Sequence, residues 1–162
     1  MEFLPWLSVL LIVLLAIPLS IIDFRSHRLP NRYTYPAIAF SVFTVAVAGL
    51  ATLDFNRFGL AVIIGGATWG IGYLLARVDG IGMGDVKLLT AMNLSVAWIS
   101  PFAVIVILAI GFTLASLVSM GLMALRRANL KTAVAMGPFL FIGFGLVVLE
   151  LGISALTAVD GS

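Results

Sequence analysis

Cysteine is absent from the chain and histidine occurs once, as His27. Disulfides, thiolate zinc sites and a thiol nucleophile are therefore excluded, and a histidine-based metal centre has no ligand set. No metal or other cofactor is expected. Charge is also scarce: 9 Lys and Arg and 7 Asp and Glu stand among 162 residues of which 62% are apolar. Such a balance suits lipid as the main solvent. With about 20 residues needed to cross the hydrocarbon core, this length holds roughly six spans and leaves no room for a soluble domain. The net charge of +2 would suggest nucleic acid in a soluble protein, but the basic residues cluster at span ends, where they report topology. No nucleic-acid partner is expected, and no internal repeat, low-complexity tract or linker is visible.

The expected fold is an all-α integral membrane bundle of six helices, residues 1–162 forming one domain. Spans are predicted at about 3–22, 34–53, 58–76, 86–98, 101–125 and 134–156. The first begins with Glu2 instead of a basic region, and so reads as a permanent helix and not a cleaved signal. Pro18 marks a place where it could bend. Tyr33 and Tyr35 stand at the mouth of the second span as interfacial anchors, and Asp54 to Arg57 form a tight turn. In the third span the Gly66 and Gly70 spacing predicts close approach of a neighbour, which would make that helix central. The fourth is short and needs shelter from its neighbours. Ser100 and Pro101 form a cap and first turn for the fifth.

Arg25, Arg28, Arg32, Arg77, Lys87, Arg126, Arg127 and Lys131 all fall on one side of this topology, and Arg57 alone falls on the other. That side is cytoplasmic by the positive-inside rule, which puts both termini outside. Asp23, Asp79 and Asp85 then share the cytoplasmic face. Carboxylates are costly near hydrocarbon, so two at the ends of apolar spans suggest proton chemistry.

Three segments could carry that chemistry. In the first, Asp23 to Asn31, the plain reading is a helix end where Arg25 or Arg28 neutralises Asp23 and Pro30-Asn31 turns the chain. The sharper reading makes Asp23 an acid or base at the mouth of the bundle. In the second, Gly80, Gly82 and Gly84 precede Asp85. Asp85 could simply open a helix after a glycine turn, or the glycines could release the backbone for close approach to a peptide substrate. Lys87 lies about 200° around a helix from Asp85, so a direct pair is not expected and its ammonium should snorkel to the interface. In the third, Gly137-Pro138 gives a tight entry to the last span and carries no chemistry on its own.

Together the three segments resemble the prepilin peptidase family, the aspartic proteases that cut type IV prepilin-like leaders at the cytoplasmic membrane face. Asp23 with Leu29-Pro30-Asn31 is similar to the family's first aspartate and following Ile-Pro-Asn. Gly82-Met83-Gly84-Asp85-Val86-Lys87 matches its GxGDxK segment, and Gly137-Pro138-Phe139-Leu140 its last helix. GxGD also occurs in presenilin-like proteases, but all three segments in this order, over nearly the whole chain, are specific. Leu29 stands where isoleucine is commoner. Bifunctional members carry an N-terminal cysteine-rich domain and methylate the new N-terminus; this chain resembles the short form serving Flp/Tad-type pili, which speaks against N-methyltransferase activity.

The resemblance implies Asp23 and Asp85 as the catalytic pair. It leaves Gly82, Gly84, Lys87, Pro30, Asn31, Asp79, Gly137 and Pro138 to bind substrate or shape the site. The implied partners are a prepilin or pseudopilin with a short basic leader, the bilayer of a prokaryotic inner membrane, and pilus or secretion assembly components. Asp79 is either an attractor for the leader or a surface charge near Arg77. Arg25, Arg28 and Arg32 would repel the leader and suit anionic-lipid contact. The alternatives are a small transporter or proton-pathway subunit using Asp23, Asp85 and Glu150, and a catalytically inert assembly subunit. Against transport, both aspartates lie on one face and no pseudo-symmetric halves are visible. Glu150 lies about six residues from the outer end of the sixth span, roughly 20 Å or more from the cytoplasmic mouth, and is expected to be protonated or hydrogen-bonded and structural. The topology predicts that a Ser26→Cys variant reacts with an impermeant maleimide only after the membrane is opened, as cysteine-accessibility labelling of intact cells will measure.

Overall fold

The structure, a computed structural model, describes residues 3–26, 29–78, 81–125 and 136–160. They form six helices: α1 (Leu4–Ser26), α2 (Asn31–Thr52), α3 (Phe55–Arg77), α4 (Met83–Ile99), α5 (Pro101–Ala124) and α6 (Gly137–Asp160). Among the described residues, five of these are long and apolar enough to cross a bilayer, and α4 is not. At 1.5 Å per residue its 17 residues reach only about 25 Å, short of the roughly 30 Å hydrocarbon thickness.

Each end has a local cause. Proline sets an extended backbone at Pro30 (φ −67°, ψ 131°), whose carbonyl accepts from the Tyr33 amide at 3.1 Å to open α2. Leu53 ends α2 in the left-handed region at φ 54°, uncommon for a residue with a Cβ, and the chain reverses in two residues. Asp54 then caps α3 by accepting from the Arg57 amide at 3.0 Å. Pro101 starts α5 as predicted, although the Ser100 side chain makes no capping bond. Pro18 lies within an unbroken α1, and α1 continues through Asp23 to Ser26, beyond the predicted end of the span.

Every residue of α4 from Val86 to Trp98 is buried, and α4 touches all five other helices. The centre of the bundle is therefore α4 and not α3, which buries only Ala61, Gly65 and Gly72. The same correction applies to the glycine face. A Cβ built on Gly72 would lie 2.6 Å from Val86 Cγ1, and one on Gly65 would lie 2.9 Å from Leu94 Cδ1, whereas Gly66 and Gly70 meet nothing within 4 Å. Gly65 and Gly72 are seven residues apart, two helical turns, and so share the face that meets α4.

Because α4 is sheathed by protein, it can carry polar groups where lipid would forbid them. Ser8 of α1 donates to Ser95 Oγ at 2.8 Å, and Ser95 and Ser41 of α2 approach to 2.9 Å, so three helices meet at one hydroxyl cluster. Asn93 Nδ2 donates to Thr68 Oγ1 of α3 at 3.1 Å. Interhelical bonds of this kind contribute about 0.6 kcal/mol each on average.

The close contacts of Gly111 with Leu140 and of Gly143 with the Ile107 carbonyl fix the antiparallel register of α5 and α6. Counting outward from these pairs brings Glu150 level with Ser100, at the α4–α5 turn, the end of the bundle away from Asp23 and Asp85. Glu150 is exposed and makes no hydrogen bond or ion pair among the described residues.

The α3–α4 contact gives a stability prediction. Gly72→Ala will lower stability by about 1–3 kcal/mol, the usual cost of overpacking. Adding Val86→Ala will recover most of it, and Gly66→Ala will be near neutral. Thermal unfolding of the detergent-purified variants measures all three.

Candidate active site

The three sequence segments meet at one end of the bundle, where α1 finishes and α4 and α6 begin. Asp23 lies in the last turns of α1 and is 3% exposed. Its Oδ2 accepts a hydrogen bond from the Gly137 backbone N–H at 2.9 Å. Gly137 opens α6, and the first amides of a helix have no partner within it, so this donor is available to a carboxylate. A Cβ on Gly137 would stand 2.7 Å from Asp23 Oδ2. Glycine is needed there for space, and the segment that looked chemically silent in sequence holds one of the two aspartates. Pro138 follows, with no N–H of its own, beside Ser20, Ile21, Phe24 and Arg25 around a small depression.

Asp85 lies in the first turn of α4, after Gly82 in extended conformation (φ −66°, ψ 136°). Its Oδ1 is buried and has no hydrogen-bond partner among the described residues. A buried oxygen of this kind is ready for a water or a substrate donor. The charge of Asp23 acts directly on Asp85, so the two carboxylates belong to one electrostatic unit although 62 residues separate them in the chain.

Gly82 and Gly84 make close contacts within the protein. Among the described residues no glycine has positive φ, so Gly82 and Gly84 are not there to permit an unusual backbone. They permit contact: a Cβ on Gly82 would lie 2.9 Å from Asp85 Oδ2, and one on Gly84 would lie 2.7 Å from Leu29 Cβ and 3.1 Å from Leu29 N. Leu29, just ahead of α2, is thus pressed onto the start of α4 and buried in the seam. Gly80 and Asp79 lie outside the described residues.

Lys87 does not snorkel. It is 6% exposed, its Nζ donates to Asn31 Oδ1 at 2.6 Å, and it sits 4.2 Å from the centroid of the Tyr35 ring. The reason is the central place of α4: Lys87 points at α2 instead of outward, and an amide oxygen and a π face replace water around its ammonium. Lys87 and Asn31 therefore form a second clasp, between α4 and the first residue of α2, beside the Gly84–Leu29 contact. Tyr35, read from sequence as a membrane anchor, is also part of this clasp. Its spacing four residues after Asn31, one helical turn, was the available signal.

Among the described residues no group of three or more His, Cys, Asp or Glu could hold a metal ion. The site therefore offers two interacting carboxylates, one held by a backbone amide and one with an unsatisfied oxygen, at the mouth of an apolar bundle.

Comparison with known proteins agrees with this geometry. The Type IV leader peptidase family matches residues 8–159, which takes in all three segments, and the chain belongs to that family. It is similar to the prepilin leader peptidase/N-methyltransferase of Escherichia coli (strain K12), 30% identical over 128 residues, 77% of this chain and 55% of that protein. It is also similar to the protein of the same name from Aeromonas hydrophila, 25% identical over 146 residues, 88% of this chain and 49% of that one. The Aeromonas salmonicida (strain A449) protein is 28% identical over 156 residues, with the same shares covered. The chain thus spans about half the length of the curated relatives it matches. No solved structure matches it.

The clasp predicts energetic coupling. Lys87→Met and Asn31→Ala will each destabilise the protein, and the double variant will lose about 1.5–3 kcal/mol less than the sum, the usual range for a hydrogen bond to a charged group. A double-mutant cycle by chemical unfolding in detergent measures it.

Proposed function

We propose that this membrane protein is an aspartic endopeptidase that removes the short basic leader from type IV prepilin or pseudopilin precursors at the cytoplasmic face of a prokaryotic inner membrane. The observation that carries this reading is the convergence of Asp23, Asp85 and Gly137, from three distant segments, at one end of the bundle in a chain of the leader peptidase family.

Peptide hydrolysis needs a base to activate water and an acid to protonate what leaves. Two close carboxylates sharing one proton supply both, since like charges so near resist ionising together. The water oxygen attacks the scissile carbonyl carbon while its proton passes to the ionised aspartate, and the protonated aspartate hydrogen-bonds the developing oxyanion. Collapse breaks the C–N bond, and a proton from the pair goes to the leaving nitrogen. The products are a leader carboxylate and a new amino terminus. The proton belongs to the pair and not to either residue alone.

In this reading the Gly137 amide orients Asp23, and the open Oδ1 of Asp85 receives the water. Gly84, Leu29, Asn31 and Lys87 keep the α1–α2 linker seated, so that Asp23 faces α4. The basic leader is drawn to the acidic pair at the mouth while the apolar segment that follows it stays in the bilayer.

Asp23→Asn and Asp85→Asn preserve shape and abolish proton exchange. Each is expected to lower cleavage of a purified prepilin by 1,000-fold or more, with membrane insertion and thermal unfolding near wild type. Retention of a few per cent of activity in either variant would exclude the pair as the catalytic groups.

A further inference from the structure

The helices around α4 do not close into a complete ring. α3 meets α5 only narrowly, and between them lies an apolar cleft of about 590 Å³. Its walls include Ala67, Ile71 and Leu75 of α3 and Phe102 and Ile105 of α5, and its floor is Leu89 of α4. It extends from Pro101, at the turn far from the aspartates, to Ile81, beside the Gly82–Asp85 segment. A second apolar groove of about 440 Å³ lies between α2 and α3, with Thr90 and Leu94 of α4 as its floor and Tyr35 among its lining.

We propose that the α3–α5 cleft holds the apolar segment of the precursor while its leader is cut. The inference rests on the peptidase reading above and adds where the substrate's membrane segment lies. The first argument is angular. At about 100° per residue, Leu89 lies one turn above Asp85 and only about 40° around α4 from it, whereas Thr90 and Leu94 lie about 140° and 180° away. A chain lying along Leu89 reaches Asp85 by continuing straight down the same face. A chain in the α2–α3 groove would have to pass around α4, through the seam that Leu29 and Asn31 occupy.

The second argument is charge. The α3–α5 cleft ends at Ile81, four residues before Asp85, which suits a basic leader. The α2–α3 groove ends at Tyr35, whose ring carries the Lys87 ammonium at 4.2 Å, and Arg32 stands over the neighbouring Tyr33 ring. Both cations repel a basic leader there. On the α3–α5 side Arg77 alone stands at the end of α3, still charged although bonded to Tyr73, against two cations beside the α2–α3 groove. The third argument is reach. From Pro101 to Phe112 the α5 wall rises about 16 Å, half the hydrocarbon core, so an apolar helix entering sideways from lipid finds a matching trough over that depth.

The test uses the full chain in lipid nanodiscs with two substrates: a prepilin carrying leader and apolar segment, and a peptide with the same leader and cleavage position that stops before the apolar segment. The readout is the ratio of kcat/KM for precursor over peptide. Ala67→Trp, which fills the α3–α5 cleft, is expected to lower that ratio tenfold or more, mainly through KM for the precursor. Val62→Trp, which fills the α2–α3 groove, is expected to keep it within twofold. An unchanged ratio in Ala67→Trp, or the loss appearing in Val62→Trp instead, overturns the inference.

The absence of cysteine from the chain supplies a second measurement that does not depend on tolerating tryptophan. With copper phenanthroline added as the oxidant, an Ile105→Cys variant should form a disulfide with a single cysteine placed in the precursor's apolar segment, and a Val62→Cys variant should not; the reverse pattern overturns the cleft. If the wild-type protein cuts neither substrate, the peptidase reading falls and the inference falls with it. If it cuts both while the cleft variants behave as wild type, the inference falls alone.

Discussion

The structure depends on one constraint: α4 is too short to face lipid from end to end and too polar to be left in it. Lys87, Thr90, Asn93 and Ser95 are all buried on that single helix. Thr90 and Ser95 can donate to the Val86 and Ala91 carbonyls of their own helix, but in hydrocarbon the Lys87 ammonium and the Asn93 amide would be unsatisfied, at a cost of several kcal/mol by water-to-hydrocarbon transfer. The other five helices therefore serve α4 as its solvent, and they do so with few specific contacts. Hydroxyls of Ser8, Ser41 and Thr68 and the amide oxygen of Asn31 meet its polar atoms, and Gly65 and Gly72 let α3 come close enough to cover Val86 and Leu94. What remains of the five helices is apolar on the outside, as with Leu14, Ile17 and Ile63, because lipid asks nothing more of them.

The same constraint places the site. A central helix whose first turn carries Asp85 can be approached at that end by α1, by the α1–α2 linker and by the start of α6 together. Glycine is the common means of approach. Gly82, Gly84 and Gly137 each stand where a Cβ would strike Asp85, Leu29 or Asp23, so the glycines of two separate motifs make one packing seam.

This explains what could be read in the sequence and what could not. Hydrophobic runs and basic residues at their ends were enough to find the six helices, since length and lipid contact are properties of each segment alone. Asp23 and Asp85 stood out because a carboxylate beside an apolar run is costly wherever it packs. The central position of α4 was hidden: a short helix with a lysine, an asparagine and two hydroxyl groups reads as weakly membranous, and only its neighbours make those groups affordable. Gly66 and Gly70 drew attention by their spacing, yet Gly65 and Gly72 meet α4. Spacing identifies a possible face, and the partner decides which face is used. Gly137 gave no chemical signal because its contribution is a backbone N–H, which every residue except proline possesses.

The hydroxyl cluster of Ser8, Ser95 and Ser41 has a mechanical meaning as well. It joins three helices at a point ten residues from Asp85 along α4, about 15 Å away. Its bonds resist sliding, because moving α4 by one turn would part all of them at once. Tilting about the cluster is opposed at the far end, where Lys87 holds Asn31 and Gly84 meets Leu29, so the two ends together fix the direction of α4. A tilt of about 5° about the cluster would carry Asp85 roughly 1.3 Å, comparable with the difference between a hydrogen bond made and one broken.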